Sequence, residues 1–324
     1  MMRRRALLQS FAGGATALAA PCVLSQEDKS PITILVGAAS TMDFTARMVA
    51  EHLKEALGRP VVVVSKLGAG GRLALNEMKR AAPDGRTLMF STSSLFAIYP
   101  HIYTKLDYDP IHDFTPIAGV SLFDLGMATG PMTNTSDVRS TLAWMRGQPA
   151  GQVYGAAPGA GSSSHFAGIA LAQATGLPIN PVHYKDSGVG IIDVASGRLS
   201  TLITGTGALV QQHKAGKIRM IAVSGEKRSP LAPEVPTFKE QGFDVVIENS
   251  AALYGPAKLP RELVERIYSA LMPMFSQPAA LDRLASQGMT PQPMNGTQLS
   301  AWLASERRRY EMLAKASGYV PEAL

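Results

Sequence analysis

At 324 residues, with 46 % hydrophobic and 17 % charged side chains, the chain exceeds one typical core and is too apolar to remain disordered. Setting Arg3-Arg4-Arg5 aside leaves 28 basic residues against 25 acidic, and a balance of +3 calls for no nucleic acid. Cys22 is the sole cysteine, which excludes a disulfide framework.

The N-terminus reads as an export signal over residues 1–25. Arg3-Arg4-Arg5 is its positive region, and Ala6 to Ala20 is apolar but too short to span a bilayer well. Arg4-Arg5-Ala6-Leu7-Leu8 also fits a twin-arginine pattern. Cleavage after Ser25 would remove Cys22 and with it any thiolate chemistry. Later there is no run of about 18 apolar residues, so the exported product is expected to be soluble.

Ile32 to Val36 is a β-branched run and predicts a strand. A small-residue loop follows, then Asp43 and a helical pattern from Phe44 to Leu57. Val61 to Val64 predicts a strand, Leu67 to Gly71 a glycine turn, and the next residues to Ala81 a helix. Thr87 to Phe90 predicts a third strand, ending in Ser91-Thr92-Ser93-Ser94. Strand, glycine loop and helix in alternation argue for parallel pairing with crossover helices. In such sheets ligands sit beyond the carboxyl ends of strands, which points to the loops at Gly37–Asp43, Gly68–Gly71 and Ser91–Ser94.

Pro116 to Val120 predicts a strand, Ser136 to Met145 a helix and Val153-Tyr154 a strand. Gly155-Ala156-Ala157-Pro158-Gly159-Ala160-Gly161-Ser162-Ser163-Ser164-His165 then opens a helix expected from about Phe166 to Ala174. Ser162 or Ser163 suits its N-cap. The glycines bare the backbone, and a helix N-terminus offers free N–H groups and about half a positive charge to a carboxylate or phosphate. An ordinary capped helix after a loop is the competing reading. A charged His165 would oppose the helix dipole, so a neutral imidazole is expected.

Strands are expected at Asn180 to Tyr184, Leu199 to Ile203 and Ile218 to Val223, and helices at Val189 to Ser196 and Val210 to Ala215. Val245 to Tyr254 reads as extended. Helices are expected at Pro260 to Phe275, Ala279 to Ser286 and Ser300 to Ala316, with Arg307-Arg308-Arg309 on a solvated face and no new strand. The tail would thus return over the first lobe: residues 26–128 and 248–324 in one, 129–247 in the other.

Enzyme patterns are missing. Gly161 to His165 is not a G-x-S-x-G elbow, no Walker A lysine loop occurs, and the six histidines show no metal spacing. Neither a cofactor nor a metal is expected.

The chain resembles the periplasmic solute-binding proteins of tripartite tricarboxylate transporters, the Bug family. The residues that carry this are Ala81-Ala82-Pro83-Asp84-Gly85, Tyr108-Asp109-Pro110 with Asp113-Phe114, and Tyr154-Gly155 with Gly161 to His165. His183-Tyr184-Lys185, Lys214 to Arg219, Lys227 to Pro230, Val235-Pro236-Thr237 and Gly255-Pro256-Ala257 continue it in order. The resemblance implies an α/β, two-lobed periplasmic-binding-protein fold of type II kind, each lobe a mostly parallel sheet flanked by helices. It implies closure on a small carboxylate without catalysis, delivery to membrane permease subunits, a periplasmic location and a monomer. In the family two strand-to-helix loops hold the carboxylate. The second carries over onto Gly155 to His165. The first is shorter here: Ala39, Ser40 and Met42 stand where glycines are usual, and the Ser40 and Thr41 hydroxyls are expected to replace amide or water contacts. Thr204 replaces a common aspartate, and the aromatic often found near Ala251 is missing.

Candidate ligand residues are therefore Ser40, Thr41, Asp43, Gly70, Ser91, Thr92, Ala157, Gly161, Ser162, Ser163, Ser164, Tyr184, Lys185 and Thr204. Asp43 is either a helix cap or a partner for a ligand amino or hydroxyl group. Lys185 is either a counter-charge or a solvated loop lysine, and Tyr184 is expected to pack in the lobe with its hydroxyl at the cleft. Two other functions stay open: an extracytoplasmic sensor presenting a carboxylate to a receptor, and an exported α/β enzyme.

Overall fold

The computed structural model describes residues 30–38, 41–148 and 152–323. The export segment with Cys22, and Ser40 in the first loop, lie outside the described residues.

The first lobe begins with β1 (Ile32–Val36), α1 (Thr41–Leu57), β2 (Val61–Ser65), α2 (Arg72–Lys79) and β3 (Thr87–Thr92). β1 lies between β2 and β3 and pairs parallel with both, as the alternation predicts. Two short helices follow, α3 (Ser94–Ala97) and α4 (Tyr99–Ile102). Next comes β4, which runs sixteen residues from Phe114 to Thr129. The expected strand at 116–120 is only its beginning.

The second lobe holds α5 (Val138–Arg146), β5 (Gln152–Ala156), α6 (Ser163–Thr175), β6 (Ile179–His183), α7 (Ser187–Ala195), β7 (Thr201–Gly205), α8 (Thr206–Lys214) and β8 (Arg219–Val223). The chain returns through β9 (Glu248–Pro256), α9 (Arg261–Leu271), α10 (Pro278–Ser286), β10 (Thr290–Asn295) and α11 (Gly296–Ser317). β10 corrects the expectation of no new strand. It pairs antiparallel with β4, and Pro291 and Pro293 fit because β4 is its only partner among the described residues.

β4 belongs to both sheets. Up to Asp124 it pairs with β9, and from Leu125 onward it lies between β7 and β8. The sheets read β2-β1-β3-β9-β4-β10 and β6-β5-β7-β4-β8. β5 is parallel to β6 and β7, whereas β4 and β9 run antiparallel to their neighbours, so each sheet is mixed rather than uniformly parallel. Ser224 clasps the two crossing strands. Its N donates to Leu125 O at 2.8 Å, its Oγ accepts from Leu125 N at 2.9 Å, and Ile247 N donates to its carbonyl at 2.9 Å.

Apolar faces explain the layering. Ala46, Val49 and Leu53 of α1 pack with α9 and α10 on one side of the first sheet, and α2, α3 and the start of α11 cover the other. In the second lobe α7 and α8 cover one face, while α5 and α6 cover the face on which Tyr154 and Phe166 meet. α11 serves both lobes: Leu299 and Leu303 join the first core, and Tyr310 and Leu313 join the second. Its arginine run is not wholly solvated. Arg309 Nη1 donates to Val246 O at 2.8 Å and pairs with Glu306 at 3.1 Å, leaving Arg308 outside.

Candidate functional site

The glycine-rich loop turns at Gly159 and Gly161, whose φ of +71° and +69° are conformations L side chains rarely adopt. A cis peptide joins Ala157 to Pro158. Ser162 caps α6, which starts at Ser163, three residues before the expected boundary. Ser162 Oγ accepts from His165 N at 3.2 Å and donates to Gly159 O at 2.8 Å. Gly161 N donates to His165 Nδ1 at 3.0 Å. Two first-turn amides, of Ser163 and Ser164, remain without an intrahelical acceptor. These are the donors an anion can take.

Ser163 is half-buried, and its Oγ accepts from Asn249 Nδ2 at 3.2 Å. Asn249 Oδ1 in turn accepts from Ser94 Oγ at 3.3 Å. Asn249, on β9 of the first lobe, thus ties α6 of the second lobe to the head of α3. Ser93 and Ser250 fix this corner: Ser93 N donates to Ser250 O at 2.9 Å, and Ser250 N to Ser93 Oγ at 3.1 Å. A Cβ on Gly161 would fall 2.8 Å from Ile102 of α4, so the loop also meets the first lobe through its bare backbone.

The other candidates divide. Ala157 is fully buried, and Ser164 is buried with no hydrogen-bond partner for its hydroxyl among the described residues, so its amide is what it can offer. Thr204 is buried with Oγ1 2.6 Å from Ser187 Oγ. Tyr184 backbone holds the loop, with its O accepting from Gly159 N at 2.8 Å, but its hydroxyl donates to Asp193 at 2.9 Å, away from the expected cleft role. Lys185 is exposed and has no ion pair among the described residues. In the first lobe, Thr41 starts α1 and is half-buried, Ser91 is buried within β3, and Thr92 ends that strand half-buried. Gly70 carries φ +63° and accepts from Tyr99 OH at 3.1 Å. Asp43 is not the cap of α1, because the helix starts two residues earlier. It sits in the first turn, where Arg47 at 2.7 Å and Ser65 engage its carboxylate and hold it below the usual range.

Asn249 and Ser250 are the residues the sequence did not single out; Ser93 and Ser94 lie in the Ser91–Ser94 loop it pointed to, though not among the candidate ligand residues. The first two belong to Glu248-Asn249-Ser250, an ordinary polar start to β9 that carries no local mark of a site. A surface hollow of about 630 Å³, lined by α9 and the start of α11, includes none of the residues above. No group of three or more His, Cys, Asp or Glu with metal-binding geometry occurs among the described residues.

The sequence profile described as the tripartite tricarboxylate transporter family receptor matches residues 45–319. The chain belongs to that family. The receptor is 27 % identical to Protein BugT of Bordetella pertussis over 93 % of each chain. It is 28 % identical to a solved periplasmic transporter, with a TM-score of 0.76 over 89 % of this chain and 97 % of that one. It is 26 % identical to Rpa4515 of R. palustris, solved with adipate, with a TM-score of 0.78 over 90 % and 98 % of the two chains.

His165 locks this loop in its neutral form. Burial, with the His183 ring beside it, pushes its imidazole down to about 4. Nδ1 accepts from Gly161, so a second proton must break that bond. A folded value below the ordinary 6.5 means the unfolded chain takes the proton first as pH falls. This contribution to stability is full above about 6.5 and shrinks toward pH 4, by about 2 kcal/mol at pH 5. His165→Asn, whose Oδ1 can replace Nδ1 as acceptor, is expected to lose less thermal midpoint than wild type between pH 7.5 and 5. Parallel curves would remove His165 from this role.

Proposed function

We propose that the receptor captures a small organic carboxylate in the periplasm and delivers it, unchanged, to the permease subunits of a tripartite tricarboxylate-type transporter. The observation that carries this reading is the pair of unclaimed amides of Ser163 and Ser164 at the mouth of α6, next to the Asn249 bridge between the lobes. A carboxylate is an acceptor only, and two parallel N–H donors at a positive helix end suit its two oxygens. Adipate in Rpa4515 supports the ligand class. Ser163, Thr41, Thr92 and Lys185 are the side chains assigned to the ligand. Residues 1–25 act as the export signal, and the receptor works as a monomer. Residues 26–128 with 248–324, and residues 129–247, form the lobes that close on the ligand.

A thermal-shift screen of four- to six-carbon mono- and dicarboxylates, adipate included, tests this. At least one should raise the midpoint saturably, by about 2.7 kcal/mol of stability at a hundred times its Kd. A flat response across the series would remove the carboxylate reading.

A further inference from the structure

At the crossing between the lobes, two acids stand directly opposite each other. Asp124 on β4 is the register partner of Glu248 on β9, at the last pair before β4 changes sheets. Like charges at directly opposed positions destabilise an antiparallel pair. Asp124 is 7 % exposed, and its Oδ2 has no hydrogen-bond partner among the described residues. The hydroxyls of Thr206 on α8 and Ser229 face it, yet neither closes a bond of normal geometry. Gly225 lies over the pair, where a Cβ would fall 3.3 Å from Glu248 Oε1 and 3.5 Å from Asp124 Cβ.

The charges around the pair do not cancel it. Glu248 Oε1 accepts from Glu226 N at 3.3 Å, and the Glu226 carboxylate itself is bound to Lys239. From α11, the buried Glu306 adds a third acid beside buried Asp124 and half-buried Glu248, and Arg309 Nη1 is engaged by Glu306 and Val246 O. Arg309 and Lys227 favour the Glu248 anion, but burial outweighs them and raises its carboxyl above the usual range. Burial likewise raises Asp124, to about 6, and Glu306, to about 7.

We propose that the Asp124–Glu248 pair makes the crossing between the lobes proton-sensitive: a proton on the buried Asp124 carboxyl lets β4 and β9 sit together in the described arrangement, and its loss sets two like charges opposite each other, drives the strands apart and shifts the lobes. The inference rests on the lobe closure in the proposed function. It implies that affinity for a ligand with no titrating group would still depend on pH. Raised folded values mean that the pair's contribution to stability is full below about 4 and is lost as pH rises through about 6.

Small-angle scattering of the ligand-free protein at pH 5 and pH 8 tests it. Wild type is expected to change its radius of gyration between the two, and Asp124→Asn/Glu248→Gln is expected not to. Glu306→Gln removes the neighbouring acid of α11 but leaves the opposed pair intact, and should keep the shift. Should the double variant fold poorly, Glu248→Gln alone should shrink the shift. The thermal midpoint of Asp124→Asn should also gain on wild type from pH 5 to 8, on the order of 5 °C. Equal radii for wild type at both pH values, or a shift that survives in the double variant or vanishes in Glu306→Gln, would overturn the proposal. So would a shift abolished by added calcium, since a cation rather than a proton would then neutralise the pair. No ligand is present, so a failed carboxylate screen leaves this result standing and readable.

Discussion

Ser163→Pro is expected to weaken carboxylate binding about hundredfold while leaving the thermal midpoint close to wild type. Ser163 is the first residue of α6, and proline is tolerated there because that amide has no helical acceptor. Ser162 before it is already extended, with φ −78° and ψ 163°, which suits a residue preceding proline. The substitution therefore removes one of the two free N–H groups without asking the helix to move. A hydrogen bond to a charged group contributes about 1.5–3 kcal/mol, or about 10- to 100-fold in Kd. Ser163→Ala is the control, because both variants lose the hydroxyl that accepts from Asn249 and only proline loses the amide. Calorimetric titration with the carboxylate that stabilises wild type most gives the two values. Equal affinities for the Ala and Pro variants would mean that the amide does not touch the ligand.

Local chemistry made much of this receptor legible before its fold was known. β1, β2 and β5 to β8 follow from β-branched or apolar runs between turn residues, and the head of α6 follows from glycines and serines in one loop. Those signals act within about ten residues. Elements that long-range pairing decides were hidden. β4 reads as broken because Pro116, Gly119 and Gly126 interrupt it, yet its register shifts on both sides of Gly119 absorb the irregularity. Gly119 and Gly126 are where the side chains of Met294, Leu209 and Met220 come so close that a Cβ would strike them. β10 was hidden by its two prolines, which only an edge position excuses. Asn249 could not be found from its neighbours in the chain, since its partners lie 155 and 86 residues away. The misplaced cap at Asp43 has a plainer cause. Aspartate suits both the cap and the first turn, and only the true start of α1 decides between them.

Gly168→Ala is expected to be the most destabilising single-methyl change near the site, on the order of 3 kcal/mol or more. At an exposed helical position this substitution stabilises by up to about 1 kcal/mol, because glycine has more freedom to lose. Here the sign inverts. A Cβ on Gly168 would stand 2.0 Å from Cζ of Tyr154 and 2.4 Å from its hydroxyl, where ordinary contact begins near 3.4 Å. Tyr154 cannot retreat: its ring is fully buried on β5, and its hydroxyl donates to His165 O at 2.7 Å. α6 must therefore lift from the sheet, and overpacking of this kind costs about 1–3 kcal/mol, occasionally more. For a chain of this size that is a fall in midpoint on the order of 8 °C. The same contact sets the depth of α6, so lifting it carries the Ser163 and Ser164 amides away from Asn249, and carboxylate binding should fall with stability. Adding Tyr154→Leu opens space for the methyl group and should recover part of the midpoint in Gly168→Ala. A midpoint for Gly168→Ala at or above wild type would mean that α6 does not rest on Tyr154, and the placement of the amide pair would fall with it.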